Sequence, residues 1–195
     1  LSTLMKGQQL LSKEYARAQA SGISQEQQND YENGMKDLTG FELDIYLNDK
    51  SLSQKAIIRF QEVLMIYPED YDVHISYANL MEDIDPLLAI DAYETAISID
   101  ESRELAWYNL GAMHNNIGSE LYLKGLNHDD DAVADSLYNE ANNSFRKAYL
   151  NMEEAYKINP KSIQTIRALV QLANSLGLDE KADFYREKEM ELRGF

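Results

Sequence analysis

Positions of like character recur along this chain every 33–34 residues, and so short an interval leaves few folds open. The position of Trp107 has counterparts at Gly40, His74 and Ile166, with spacings of 34, 33 and 59. A small residue recurs at Ala56, Ala89, Ala148 and Ala182, with spacings of 33, 59 and 34. Four residues further on stand Phe60, Tyr93 and Met152; Arg186 breaks that series, and the neighbouring Phe184 and Tyr185 are expected to pack in its place. A fourth position holds Pro68, Glu101 and Pro160. Two independent series with nearly the same set of intervals point to one unit used four times. With only 9 glycines and 3 prolines, turn punctuation is too thin for an all-β chain, so the unit is a helix hairpin. One hairpin cannot bury its apolar face alone, whereas a stack of them can.

The segment Trp107-Tyr-Asn-Leu110-Gly111-Ala-Met-His114 carries Trp, two residues, Leu-Gly, two residues and then His114. Ala148, Met152 and Pro160 follow in the order that closes such a unit. On these residues the chain resembles the tetratricopeptide repeat (TPR) family. The resemblance implies an all-α, right-handed αα-superhelix (solenoid) of about nine helices. It further implies a single domain over 1–195: a packing helix at 1–20, then hairpins at 25–68, 70–101, 103–160 and 162–193. Local signals agree with this division. Leu1, Leu4, Met5, Leu11, Tyr15 and Ala18 make an amphipathic first helix; Ser24 with Gln27 reads as a capping box, and Asp85-Pro86 as a helix start.

The interval of 59 is 25 residues longer than its 34-residue neighbour, and the extra length can be placed. From the Trp107-type position to the small residue the distance is 16 (Gly40 to Ala56), 15 (His74 to Ala89) and 16 (Ile166 to Ala182), but 41 from Trp107 to Ala148. The insertion therefore lies inside the third hairpin. Ile117 and Leu121 continue its first helix, while Val133, Leu137, Ala141 and Phe145 lead into the second, across a polar break at Asn127-His128-Asp129. The expected result is an antiparallel arm, each helix longer by about 17 Å at 1.5 Å per residue. Asp129 to Asp131 fall at the start of the second long helix, where carboxylates suit its positive end. Such an arm resembles that of exported bacterial TPR proteins and implies a periplasmic location, with the cytoplasm as the alternative. The chain begins at Leu1 without a basic-then-apolar leader and reads as a processed or trimmed product.

Charge and motif content narrow the function. The formal charge of −16 concentrates in residues 68–140, which hold seventeen Asp and Glu against Arg103 and Lys124. A phosphate backbone is repelled by such a surface, so nucleic acid is not an expected partner. No apolar run is long enough to span a membrane. With 0 cysteines, thiolate chemistry is excluded. Read from Asp129 as a calcium loop, the sequence puts Ala134 where glycine belongs and Val133 at a ligand position, so Glu140 at the twelfth place stands alone. His74 and His114 occupy packing positions of the repeat, and no phosphate loop or nucleophile elbow occurs. Neither an enzyme, nor a cofactor, nor a metal is expected.

The resemblance implies that the first helix of each hairpin lines a groove for a peptide or protein. Transferred to this sequence, the outward positions are Asp72, Ile75 and Asn79; Tyr108, Ala112 and Asn116; and Arg167, Gln171 and Asn174. Their amides and hydroxyl can pair with a ligand backbone without fixing its sequence. The chaperone-tail clamp known in one TPR subclass needs basic and amide residues where this chain has Phe41, Ile45, Leu105 and Asn109, so that ligand is not expected. The reading is a protein-interaction adaptor or assembly scaffold; the alternative is a self-associating structural protein, with homo-oligomers formed through the first helix or the arm.

Overall fold

The computed structural model describes residues 1–194, which form nine α-helices and no strand. They are α1 (Ser2–Ala20), α2 (Gln25–Asn48), α3 (Ser53–Ile66), α4 (Tyr71–Met81), α5 (Pro86–Ile99), α6 (Glu104–Leu126), α7 (Asp131–Ile158), α8 (Ile163–Ser175) and α9 (Asp179–Arg193). A single 3₁₀ turn, Lys50–Leu52, precedes α3. The chain gathers into two compact units, one ending at Leu80 and the other starting at Met81.

Side-chain caps set the helix starts. Ser24 and Gln27 close the expected capping box on α2. Asp85 accepts from the N–H groups of Leu87 and Leu88, with Pro86 in the first turn of α5. Asp130 accepts from Ala132 and Val133 at the head of α7, so the acidic run serves as that helix's cap. At the end of α8, Gly177 takes φ +67°, which lets Leu178 N–H reach the Ala173 carbonyl at 2.8 Å.

In the first unit α1 runs along α2, and no residue of α1 is fully buried. Tyr15 and Tyr31 stack at 5.3 Å, and the Tyr15 hydroxyl donates to Glu32. Glu42, 2 % exposed, joins three helices: its Oε2 accepts from Gln8 of α1 at 2.9 Å and from Nε and Nη2 of Arg59 of α3 at 3.0 Å each. A carboxylate can be buried here because charged and neutral donors both meet it. Ala56, Phe60 and Val63 form the buried face of α3, with the Phe60 ring 6.0 Å from Tyr77.

Two rings at the Trp107-type position carry out the same task in different units. Trp107 Nε1–H donates to the Glu101 carbonyl at 3.0 Å, and His74 Nε2 lies 2.8 Å from the Pro68 carbonyl. Both acceptors sit six residues upstream, at the position held by Pro68, Glu101 and Pro160. Since a carbonyl only accepts, His74 carries its proton on Nε2.

In the second unit α6 and α7 pair along their length as the expected arm, 23 and 28 residues long, or about 35 and 42 Å. Their seam repeats every seven residues: Gly111, Gly118 and Gly125 on α6, and Ala134, Ala141, Ala148 and Ala155 on α7. A Cβ on Gly118 would stand 2.7 Å from Phe145 Cε1 and 3.1 Å from the Ala141 carbonyl, and one on Gly111 would stand 3.0 Å from Met152 Cγ. The seven-residue period keeps the two small-residue rows facing each other, and the missing side chains let the helices approach closely. Beyond the arm, Ala148, Met152, Ile166, Leu169, Leu172, Ala182 and Tyr185 form one buried cluster that joins α7, α8 and α9. Glu104 ties α6 to the next hairpin by accepting from Asn159 at 2.6 Å and from the fully buried Thr165 at 2.8 Å. Tyr185, not Phe184, supplies the packing that Arg186 does not: it is 3 % exposed, whereas Phe184 is 42 % exposed.

Candidate groove between successive hairpins

Helices α2 and α4, the first helices of two successive hairpins, border an open hollow of about 520 Å³ within the first unit. Lys36, Asp37, Thr39, Gly40, Phe41, Leu43 and Asp44 of α2 line one side; Tyr67, Asp70, Asp72, Val73 and Ser76 line the other. Gly40 stands at the Trp107-type position of its repeat. A Cβ there would meet nothing within 4 Å, so the glycine leaves open space. Beside it Phe41 is 62 % exposed, far more than a ring that packs inward.

The wall toward α4 is held by one buried carboxylate. Asp70 Oδ1 caps α4 by accepting from the N–H groups of Asp72 and Val73 at 3.0 and 3.2 Å. Its Oδ2 meets Lys36 Nζ at 2.5 Å, an ion pair that crosses from α2. Burial opposes the charged form of Asp70, but the Lys36 ammonium and the two backbone donors win and hold its pKa below the usual carboxylate value. Lys36 is raised in turn, chiefly by its hydrogen bond to Asp70.

The residues expected to line a groove divide among several environments. Asp72 is exposed and lies in the wall of the hollow. Asn79, also exposed, follows it two turns along α4. Ile75 is only 6 % exposed, a correction to its expected outward position. It continues the row Tyr71, Ile75 and Ala78, whose spacing of four and three keeps it on the buried face of α4.

In the second unit Tyr108 and Ala112 are half-buried and pack against the cluster of α7, α8 and α9, while Asn116 is exposed on the arm. Arg167, Gln171 and Asn174 form one exposed row on α8. The outer two already bind side chains of α9: Arg167 Nε donates to Glu189 at 2.7 Å, and Asn174 accepts from Arg186 at 2.6 Å. Sequence reasoning missed the α2 side of the hollow. Gly40 at a position that elsewhere holds a ring, followed by a lone Phe41, was the available signal.

No family model matches this sequence, and no curated protein matches it. Comparison of structures does find neighbours. A MamA RS-1 double mutant (ArsTM) superposes with a TM-score of 0.58 at 17 % identity, over 95 % of this chain and 94 % of that one. The 41-end form of MamA from Desulfovibrio magneticus RS-1 gives 0.57 at 18 %, with the same coverage. With nine helices in hairpin order, no strand among the described residues and these neighbours, the chain has an all-α, TPR-like fold.

Proposed function

We propose that this protein is an interaction scaffold that seats a segment of another protein in the hollow between α2 and α4. The observation that carries the reading is the coincidence of Gly40, which leaves room, with the exposed Phe41, which offers apolar area beside it. At about 520 Å³ the hollow falls in the range of roughly 300–1,000 Å³ typical of ligand sites. An aromatic ring held at the rim of such a space is the kind of group that dominates binding energy when a partner covers it. Asp72 lines the hollow, and Asn79 extends the same exposed stripe of α4. On α8, Gln171 lies between two residues already engaged by α9, so contacts there are secondary in this reading.

The TPR-like fold supports a binding role without naming the partner. We further propose a periplasmic location, with the cytoplasm as the alternative, on the resemblance of the long α6–α7 hairpin to that of exported bacterial TPR proteins. Affinity capture from native cells tests the binding site. Wild-type protein is expected to retain a specific partner that Phe41→Ala loses by about tenfold or more, the scale of a buried aromatic anchor. Equal recovery by both proteins would move the site elsewhere.

A further inference from the structure

We propose that the hollow selects an arginine of the partner segment, with its guanidinium lying on the Phe41 ring and its N–H donors shared between Asp37 and Asp44. This rests on the binding reading above and adds the chemistry of the occupant.

Asp37 precedes Phe41 by four residues and Asp44 follows it by three, so on α2 both carboxylates flank the ring on one face. Both are exposed, and no ion pair among the described residues engages either of them. The charge of the lining is one-sided: Asp37, Asp44, Asp70 and Asp72 against Lys36. That lysine is already committed to Asp70 at 2.5 Å, so no cation of the hollow is left to answer Asp37 and Asp44. An anionic or neutral apolar segment would leave those two carboxylates without compensation as water is displaced. A cationic one gains from them.

Arginine fits better than lysine for geometric reasons. Its planar, weakly hydrated guanidinium stacks on an aromatic face and still presents edge donors to a carboxylate on either side. A lysine ammonium is a compact, strongly hydrated point charge and cannot do both with equal ease. The open volume above Gly40 accommodates the methylene stem, which covers apolar surface as the head group pairs.

The test uses the ¹⁵N-labelled full chain, titrated with a blocked Gly-Ser nonapeptide carrying two arginines and with its lysine and citrulline counterparts. Because the protein as a whole is acidic, a charge-matched control is needed: Asp37→Asn with Asp44→Asn is compared with Asp129→Asn with Asp135→Asn on the arm. All four positions are exposed, and the ¹⁵N spectra report whether each variant stays folded. Shifts confined to α2 and α4 are expected with the arginine peptide, and none with citrulline. Affinity should fall about tenfold in the α2 pair and less than twofold in the arm pair, and lysine should bind about threefold more weakly than arginine, as should Phe41→Leu toward arginine. Equal losses in both pairs, or lysine matching arginine, would overturn the arginine assignment while shifts at α2 and α4 keep the hollow as the site. Shifts located elsewhere, or none at all, would overturn the hollow itself together with its occupant.

Discussion

His114 shows how a repeat position can carry a titratable group without using it. It stands seven residues after Trp107, where the other repeats hold Leu47, Met81 and Ala173, and it is 7 % exposed. Burial, reinforced by the nearby Lys147, lowers its pKa from the ordinary value of 6.5. The folded protein therefore keeps the ring neutral, while the unfolded chain takes up a proton as pH falls through about 6.5. The stability tied to this difference is present in full above that value and declines as the pH drops toward the lowered folded pKa. We expect His114→Leu to flatten the pH dependence of denaturant midpoints between pH 7 and 5, and an unchanged slope would show that the ring titrates freely. His74 and Trp107 were readable as equivalent from spacing alone, and the structure supplies the reason in the hydrogen bond each ring makes six residues upstream. Ile75 was misjudged because α4 is only 11 residues long and buries Tyr71, Ile75, Tyr77, Ala78 and Met81. So wide a buried face leaves a narrow exposed stripe, and a position read by analogy with other hairpins misses it. Glu42 was invisible for another reason: a carboxylate becomes a core residue only when Gln8 and Arg59, 34 and 17 residues away, are brought to it.

Among the elements the α6–α7 arm is the most fully specified by sequence, although its period was not the one first recognised. The repeat spacing placed the insertion inside the third hairpin, and the polar break at residues 127–129 matches the gap between Leu126 and Asp131. What spacing of 33–34 could not reveal is the seven-residue rhythm inside the arm, where Gly111 and Gly118 face Ala148 and Ala141, and Gly125 faces the Tyr138 ring. Chains that keep a strict seven-residue apolar repeat hold their seam against a partner helix, and here the partner is the returning half of the same hairpin. Gly118 is the point of least tolerance, because an added methyl would lie 2.7 Å from one ring atom and 3.1 Å from a carbonyl that cannot move aside. Overpacking there costs about 1–3 kcal/mol, more than the roughly 1 kcal/mol that alanine gains over glycine in a helix. Gly118→Ala should therefore lower the urea midpoint, and a rise would show that the seam has slack. Gly7 is the matching control, since a Cβ there meets nothing within 4 Å, and alanine at that position should stabilise α1 slightly.

At the scale of the whole molecule, repeat spacing specified the eight helices of four hairpins and the amphipathic pattern of the first twenty residues added α1, because periodic burial is a property of sequence and needs no knowledge of the partner. The binding site was less legible, since a hollow is defined by what two helices leave unfilled. Half of its wall comes from α2, where a glycine, Gly40, stands at a repeat position that holds a ring in the next two repeats, and the neighbouring Phe41 belongs to none of the recurring positions. The central claim is that this unfilled space is where another protein sits, and site-specific photo-crosslinking in native cells tests it most directly. A photoreactive side chain at Gly40, where added atoms meet nothing within 4 Å, is compared with one at Met65 on α3, which is 83 % exposed and outside the hollow. We expect a discrete crosslinked partner band from position 40 and none from position 65. The same band from both positions, or from position 65 alone, would contradict the account.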